Sequence, residues 1–159
     1  MSVEAFGLEM FSLAGKTAVV TGGNTGLGRA FSVALAKAGA DVFIAGIDTD
    51  DGTTARLISE AGRRTAYRHI DLTEPGAPAR IVQGCLEEFG RLDILVNSAG
   101  ICLLADVEDF GRAQWDPMIA VNLTAAFELA HEASRPMIAQ GSGKIINIAS
   151  LFSFLGGRQ

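Results

Sequence analysis

The chain has 159 residues, of which 48% are hydrophobic, and its formal net charge at pH 7 is −5. This acidic balance argues against a nucleic-acid-binding surface, because such surfaces concentrate Lys and Arg. No apolar run reaches the roughly 18 residues needed to span a bilayer, and Glu4 and Glu9 precede any basic residue, unlike the start of a signal peptide. We therefore expect a cytoplasmic α/β protein with neither nucleic acid nor membrane as a partner.

Strands and helices alternate along the chain. Residues 1–15 lead into the first strand, and short apolar segments predict strands at residues 16–21, 42–47, 65–70, 92–97 and 143–149. Apolar residues at helical spacing predict helices at residues 26–38, 51–61, 77–89 and about 114–139. Pro117 is expected in the first turn of the last helix, where a proline is tolerated. Continuous apolar runs are typical of strands covered on both faces, so the pattern predicts an α/β fold with a doubly wound, Rossmann-type parallel sheet of five strands.

The first strand ends in a glycine-rich turn, Thr21-Gly22-Gly23-Asn24-Thr25-Gly26-Leu27-Gly28, that runs directly into a helix. Glycines let the backbone turn tightly and approach a ligand closely, and the helix N-terminus offers free N–H groups and a positive dipole. A strand, a turn and a helix in this order predict a binding site for the diphosphate of a dinucleotide rather than a packing turn. Gly15-Lys16-Thr17 resembles the end of a P-loop, but it precedes its strand and has Met10 where that motif needs a glycine.

Asp48 lies at the end of the second strand, about 20 residues after the last glycine of the turn. A carboxylate at this place accepts hydrogen bonds from both hydroxyls of the adenosine ribose and repels a 2′-phosphate. Lys37 is the only basic residue between Arg29 and Arg56, and we expect it on a helix. The sequence therefore favours NAD over NADP as the cofactor. The alternative is that Asp48 only caps the helix that follows.

Asp71 follows the third strand at the ligand-binding edge of the sheet, and we expect it over the adenine. His69 is interpreted as a strand residue without a catalytic role, and His131 as part of a solvated helix face, because no second histidine stands at metal spacing. No metal site is predicted. Cys85 and Cys102 fit no metal or redox spacing either, and we expect two buried thiols in a reducing compartment.

Five motifs stand in a fixed order along the chain: Thr21 to Gly28 as TGxxxGxG, Asp71-Leu72, Leu95-Val96-Asn97-Ser98-Ala99-Gly100, Val121-Asn122 and Ile148-Ala149-Ser150. Together they resemble the short-chain dehydrogenase/reductase family of the single-domain type. The resemblance implies one dinucleotide-binding domain over residues 1–159 and a homo-oligomer, either a tetramer or a dimer. It also implies cofactor contacts from Thr21, Gly22, Asn24, Gly26, Leu27, Gly28, Asp48, Asp71, Leu72, Asn97, Ala99 and Gly100. Ser98 stands where the family more often has a second asparagine.

The catalytic groups of this family are an asparagine, a serine, a tyrosine and a lysine. Asn122 matches the asparagine that holds a water in the proton relay, and Ser150 matches the serine that binds the substrate oxygen. The Tyr-x-x-x-Lys motif is expected after Gln159, because Tyr67, the only tyrosine, lies on the third strand. We therefore expect the chain to be the first part of a longer enzyme, inactive alone and without the sixth and seventh strands, which leaves the fifth strand as an uncovered edge.

Segments 5–6 with 11–16, 60–64, 144–150 and 152–157 are similar to a sugar-acid branch of the family. The branch includes 2-dehydro-3-deoxy-D-gluconate 5-dehydrogenase and gluconate 5-dehydrogenase. The resemblance implies a small hydroxy or keto substrate, and 3-oxoacyl carrier-protein reductases share much of the same pattern. A non-catalytic nucleotide-binding or interaction protein stays open as an alternative, and so does a methyltransferase, against which the Asn97 to Gly100 strand end and Ser150 argue.

Overall fold

The computed structural model describes residues 7–155, except for the Leu8 side chain. The five strands are β1 (Thr17–Thr21), β2 (Asp41–Gly46), β3 (Thr65–His69), β4 (Ile94–Asn97) and β5 (Lys144–Asn147). The main helices are α1 (Gly26–Lys37), α2 (Thr53–Glu60), α3 (Ala77–Phe89), α4 (Arg112–Ile119) and α5 (Ala126–Ala139). Short 3₁₀ turns at Leu8–Phe11 and Leu151–Ser153, and a π-helical segment at Ala120–Ala125, complete the described elements.

All five strands are parallel and follow the order β3-β2-β1-β4-β5. The chain begins in the middle of the sheet, builds outwards through β2 and β3, and then crosses back to β4 on the other side of β1. This reversal leaves a crevice at the carboxyl ends of β1 and β4, which is where open α/β sheets bind ligands. The predicted doubly wound, Rossmann-type sheet of five strands is confirmed.

Helices cover both faces of the sheet, and each face has its own apolar core. On one face, Val19, Phe43 and Leu95 pack with the α3 residue Ile81 and the α5 residue Leu129. On the opposite face, the alternate strand residues, among them Ala18, Val20 and Val42, pack with α1 and α2. The central strands are therefore buried on both sides, which explains why their sequence reads as continuous apolar runs instead of alternating ones.

The fifth strand is the most exposed of the five. Like β3 at the opposite edge, it pairs with one strand within the described residues, but all four residues of β5 are exposed. Ile145 and Ile146 are 39% and 45% exposed, whereas their neighbours Leu95 and Val96 are at most 3% exposed. The expected uncovered edge is therefore present in this part of the chain.

Most predicted boundaries agree with the structure to within about two residues. The last helix is the main exception, because a π-helical segment at Ala120–Ala125 interrupts it between α4 and α5. Because α4 begins at Arg112, Pro117 lies in the second helical turn, and the prediction that it lies in the first turn was wrong.

The prediction of two buried thiols was wrong for Cys102, which is exposed in the loop after β4, whereas Cys85 is buried. Residues 1–6 and 156–159, on which parts of the leading segment and of the branch resemblance fall, lie outside the described residues.

Two buried aspartates tie the amino-terminal edge of the sheet together. Asp93, just before β4, accepts hydrogen bonds from the Arg91 guanidinium, the Thr17 N–H and the Lys16 ammonium. At the start of β2, Asp41 pairs in the same way with Arg63 and Arg64.

The pKa values of both aspartates follow from this environment. Burial raises the pKa of Asp93, but the hydrogen bonds from Arg91, Thr17 and Lys16 outweigh burial and leave the pKa below its usual value. The same balance of burial against Arg64 and Arg63 lowers the pKa of Asp41. Both carboxylates therefore stabilise the fold in their charged form.

Replacing Asp93 by Asn is expected to destabilise the protein by about 1–3 kcal/mol at neutral pH, because the guanidinium and amide partners lose a charged acceptor. A carboxyl whose pKa is lower in the folded state contributes stability above about pH 4, and this contribution is lost as the pH falls through the folded pKa. The difference between wild type and Asp93→Asn should therefore shrink below pH 4. Urea unfolding at pH 7 and pH 3 measures it, with the exposed Asp109→Asn as the control. A difference that does not change with pH would contradict this role.

Candidate functional site

A cavity of about 460 Å³ lies at the carboxyl-terminal edge of the sheet. The glycine turn forms one wall of the cavity with Gly22, Gly26, Leu27 and Gly28. The loops that follow the other strands form the rest, including Asp48, Asp71, Leu72, Ala99 and Gly100. Most of the residues that the sequence assigned to a cofactor therefore meet in one place.

The glycine turn has the backbone geometry that its sequence predicts. Gly22 and Gly26 have φ angles of 64° and 48°, in the left-handed region that favours glycine. A Cβ on Gly28 would overlap the Gly22 carbonyl oxygen, and one on Gly22 would lie 3.3 Å from the Ala99 Cα. The turn can close against α1 only while Gly28 carries no side chain, and the positive φ of Gly22 and the closeness of Ala99 disfavour a larger residue at Gly22.

The first turn of α1 faces the cavity without a side-chain cap. Thr25 is the N-cap residue, yet its side chain makes no capping hydrogen bond, and Gly26, Leu27 and Gly28 line the cavity. The backbone N–H groups at the start of a helix have no intrahelical acceptor. They are therefore available to an anionic group such as a diphosphate.

Three predicted cofactor residues stand behind the cavity wall instead of on it. The Thr21 hydroxyl oxygen accepts hydrogen bonds from the N–H groups of Ser98 and Ala99, both at 3.0 Å. Asn97 donates to the Ala126 carbonyl and to the Asn147 side chain. The Thr21 contacts fix the loop after β4, and the Asn97 contacts join the end of β4 to α5 and β5. The geometry therefore gives both residues a positioning role.

Asn24 is the third of these residues and is only 1% exposed. Its amide nitrogen donates to the Asp48 carbonyl at 3.2 Å, and its backbone carbonyl accepts from the Arg29 Nε. Asn24 therefore links the glycine turn to the loop after β2. The sequence could not indicate this link, because Asn24 and Asp48 are 24 positions apart.

The Asp48 carboxylate is exposed at the cavity and does not cap α2. It accepts a hydrogen bond from the Thr25 hydroxyl at 3.2 Å. Other carboxylates bind the N–H groups at the start of α2: Asp50 accepts a hydrogen bond from the Gly52 N–H, and Asp51 accepts one from the Thr53 N–H. The alternative of a purely capping Asp48 therefore has no support in this geometry.

One basic side chain stands closer to this loop than the sequence suggested. The guanidinium of Arg29 donates to both carboxylate oxygens of Asp51 at 3.0 Å and to the Thr54 hydroxyl at 2.9 Å. The sequence has no arginine between Arg29 and Arg56, but Arg29 itself reaches the loop after β2 from α1. The Nε and Nη2 donors of Arg29 are therefore engaged within the protein.

Asp71 lines the cavity after β3. Its Oδ1 accepts hydrogen bonds from the N–H of Thr73 at 2.8 Å and from the Thr73 hydroxyl at 2.7 Å. These bonds lower the pKa of Asp71, so the carboxylate is charged at neutral pH. His69 ends β3, is exposed and does not line this cavity.

Asn122 lies in the π-helical segment and holds the loop after β4. Its amide oxygen accepts from the Ile101 N–H at 2.9 Å, and its amide nitrogen donates to the Ile101 carbonyl at 2.8 Å. A Cβ on Gly100 would lie 3.2 Å from the same amide oxygen. Gly100 therefore lets Asn122 approach the backbone closely, and the role of Asn122 in a proton relay stays a prediction.

Ser150 lies beyond the carboxyl end of β5 and is exposed. Its hydroxyl oxygen accepts a hydrogen bond from the Phe152 N–H at 3.2 Å, which caps the 3₁₀ turn that follows. The hydroxyl hydrogen is not used in this bond. Ser150 does not line the cavity, so its catalytic role also stays a prediction.

Sequence reasoning did not assign Ile47, Ile70 and Ile101, which add to the apolar part of the cavity wall beside the motif residue Val121. Each of the three directly adjoins a residue assigned to the cofactor, and that position was the available signal. Within residues 7–155, no group of three His, Cys, Asp or Glu side chains could hold a metal ion. In the same part of the chain, no helix is long and apolar enough to cross a membrane.

Comparison with known proteins yields relatives of consistent type. The uncharacterized oxidoreductase YgcW of Escherichia coli is 59% identical over 157 residues, which are 99% of this chain and 60% of the relative. The 2-dehydro-3-deoxy-D-gluconate 5-dehydrogenase of the same species is 43% identical over 153 residues, 94% of this chain and 59% of the relative. The chain thus spans about three fifths of the length of these curated relatives.

A solved structure of a similar protein has the same fold as this chain. A protein of Beutenbergia cavernae, described as an NAD(P)-dependent gluconate 5-dehydrogenase with NADP bound at low occupancy, superimposes with a TM-score of 0.84 at 40% identity. The match covers 93% of this chain and 59% of that one. Residues 16–159 also match the family model of the short chain dehydrogenases. The chain belongs to the short chain dehydrogenase family.

Proposed function

We propose that the whole protein is an NAD(P)-dependent oxidoreductase that interconverts a secondary alcohol and a ketone. The observation that carries the proposal is the cavity at the carboxyl edge of the sheet, with its glycine turn and uncapped helix N-terminus. The residues present fit a dinucleotide: Gly22 and Gly28 leave the close approach free of side chains, and the start of α1 presents N–H donors. When bound, the nicotinamide supplies the hydride acceptor or donor.

The side chains around the cavity have separate tasks in this proposal. The turn from Gly22 to Gly28 binds the diphosphate, and Asp48 accepts hydrogen bonds from the hydroxyls of the adenosine ribose. Asp71 and Leu72 lie beside the adenine. Ser150 donates its free hydroxyl hydrogen to the substrate oxygen, where negative charge develops when a ketone is reduced. Tyr67 has no part in proton transfer, because its hydroxyl contacts the carbonyls of Gly46 and Asp48.

We propose NAD as the preferred cofactor. The carboxylate of Asp48 is exposed at the cavity, and the nearby Arg29 is already bound to Asp51. A 2′-phosphate in this place would meet the negative charge of Asp48, while Asp51 already offsets the charge of Arg29. The similar protein from Beutenbergia cavernae holds NADP, so direct titration of both cofactors is the decisive measurement.

For the substrate we propose a sugar acid such as 2-dehydro-3-deoxy-D-gluconate or gluconate. The support is the name of the Escherichia coli relative and that of the Beutenbergia cavernae protein. Initial rates of the full-length protein with gluconate, 2-dehydro-3-deoxy-D-gluconate, 3-hydroxybutyrate and a 3-oxoacyl thioester test the assignment. The highest kcat/KM is expected for a sugar acid. A higher kcat/KM for the thioester would instead favour a function like that of the 3-oxoacyl carrier-protein reductases.

The same experiment separates an enzyme from a non-catalytic binding protein. Cofactor binding without turnover of any alcohol or ketone would favour the binding protein. We also propose a homo-oligomer, dimer or tetramer, which sedimentation of the whole protein measures.

Gly22→Val is expected to abolish cofactor binding by the full-length protein. Valine is strained at a φ of 64°, and its side chain would press on Ala99 and fill the approach to the diphosphate. Gly141→Val is the matched control, because Gly141 has a φ of 74° and nothing within 4 Å of its Cβ position. Titration of NADH fluorescence measures both variants. Normal affinity in Gly22→Val would show that the turn is only structural.

Asp48→Arg is expected to reverse cofactor preference from NADH towards NADPH. The substitution removes the acceptor for the ribose hydroxyls and adds a cation for the 2′-phosphate. Asp109→Arg makes the same change of charge on an exposed loop that does not line the cavity, and it should leave the preference unchanged. Tighter binding of NADPH by the wild type would contradict the assignment of Asp48.

Ser150→Ala is expected to lower kcat by about 10²-fold or more, the usual effect of losing one donor to a developing oxyanion. Cofactor affinity should hardly change. Ser142→Ala is the control, because Ser142 is an exposed serine before the amino end of β5. Steady-state rates and a cofactor titration on the same preparations decide the matter, and a normal kcat in Ser150→Ala would remove Ser150 from the catalytic residues.

A further inference from the structure

Tyr67 is the one tyrosine of the 159 residues, and its side chain reaches from β3 to the loop after β2. The ring is half-buried and packs against the core on the α1 and α2 face of the sheet. The hydroxyl lies 2.6 Å from the Asp48 carbonyl oxygen and 3.0 Å from the Gly46 carbonyl oxygen. Packing alone would be served equally well by phenylalanine, so the hydroxyl needs another explanation.

The single hydroxyl hydrogen of Tyr67 is best used on Asp48. The Gly46 carbonyl already accepts a hydrogen bond from the Ile70 N–H at 3.0 Å, within the continuation of the sheet. The Asp48 carbonyl has no strand partner, and its other donor is the Asn24 amide at the longer distance of 3.2 Å. Burial, and then the negative charges of Asp50 and Asp48, raise the pKa of Tyr67, so the hydroxyl keeps its hydrogen.

Asp48 is therefore held at both ends. Tyr67 and Asn24 bind its backbone carbonyl, while Thr25 binds its carboxylate. Since β2 ends at Gly46, the Asp48 peptide lies outside the sheet and has no ladder to orient it. The direction in which the carboxylate points depends on these side-chain contacts.

We infer that Tyr67 is a positioning residue that orients Asp48 towards the adenosine ribose and so strengthens binding of the ADP-ribose half of the cofactor. The inference rests on the proposed function, because it assumes that this ribose lies at Asp48. It adds a residue on a neighbouring strand to the determinants of cofactor affinity and of discrimination against a 2′-phosphate.

Thr65 offers a matched control on the same strand. Its hydroxyl also donates to a β2 carbonyl, that of Val42, at 2.8 Å. Thr65 begins β3 at the amino edge of the sheet, whereas Tyr67 reaches to its carboxyl edge. Thr65→Val and Tyr67→Phe thus each remove one hydroxyl that joins β3 to β2, and only the second removal touches the cavity loop.

The test measures binding of ADP-ribose and of 2′-phospho-ADP-ribose to the full-length wild type and both variants by calorimetry. Neither probe carries a nicotinamide, so the result does not depend on catalysis. Tyr67→Phe should weaken binding of ADP-ribose by about threefold to tenfold, the size expected for one hydrogen bond, and should weaken the 2′-phosphorylated probe less. Thr65→Val should leave both affinities, and kcat at saturating NADH, unchanged.

Two results would overturn the inference while leaving the proposed function intact. One is equal ADP-ribose affinity in wild type and Tyr67→Phe. The other is an equal loss in Thr65→Val, which would mean that any weakening of the β2–β3 pairing has the same effect. If the wild type binds neither probe, the proposed function fails, and the inference fails with it.

Discussion

The close approach of Gly28 to the Gly22 carbonyl is the constraint on which the rest of the site depends. It lets the chain leave β1 and enter α1 within a few residues, so that the first turn of the helix opens onto the sheet edge. A side chain at Gly28 would push the helix away from the strand and separate the N–H donors from the cavity. The second wall of the cavity depends on the same turn, because the β4 loop packs against Gly22 through Ala99.

The two edges of the parallel sheet divide stability from function. At the amino edge, Asp41 and Asp93 are buried and fully paired with neighbouring arginines, which fixes the ends of β2 and β4. At the carboxyl edge, Asp48 and Asp71 are open to the cavity and bonded mainly to nearby hydroxyl and N–H groups. The carboxylates at the amino edge are paired with arginines within the fold, whereas the carboxylates at the carboxyl edge can still accept hydrogen bonds from a ligand.

The features that could be predicted from the sequence are those that depend on residues close together in the chain. The apolar runs of the central strands and the glycine turn after Thr21 give the sheet, its helices and the position of the cavity. The exposed Cys102 was missed because burial of a loop residue depends on which neighbours fold over it. The contact between Arg29 and Asp51 was missed for a related reason, since α1 and the loop after β2 meet only when the sheet has formed. Asn122 was recognised by its motif, but the π-helical backbone around it has no propensity signal of its own.

The loop after β2 shows why Asp48, the residue that we propose sets cofactor preference, is poorly described by its identity alone. Asp48 lies outside the strand ladder, and its backbone and carboxylate are fixed by Asn24 and Thr25 from the glycine turn and by Tyr67 from β3. Under the proposed function, the turn that binds the diphosphate therefore also orients the carboxylate for the ribose. A change in the turn is transmitted to Asp48 through two hydrogen bonds, so we expect the affinities for the diphosphate and the ribose to be coupled. A family fingerprint records the glycines and the aspartate separately, whereas the folded chain makes them one binding unit.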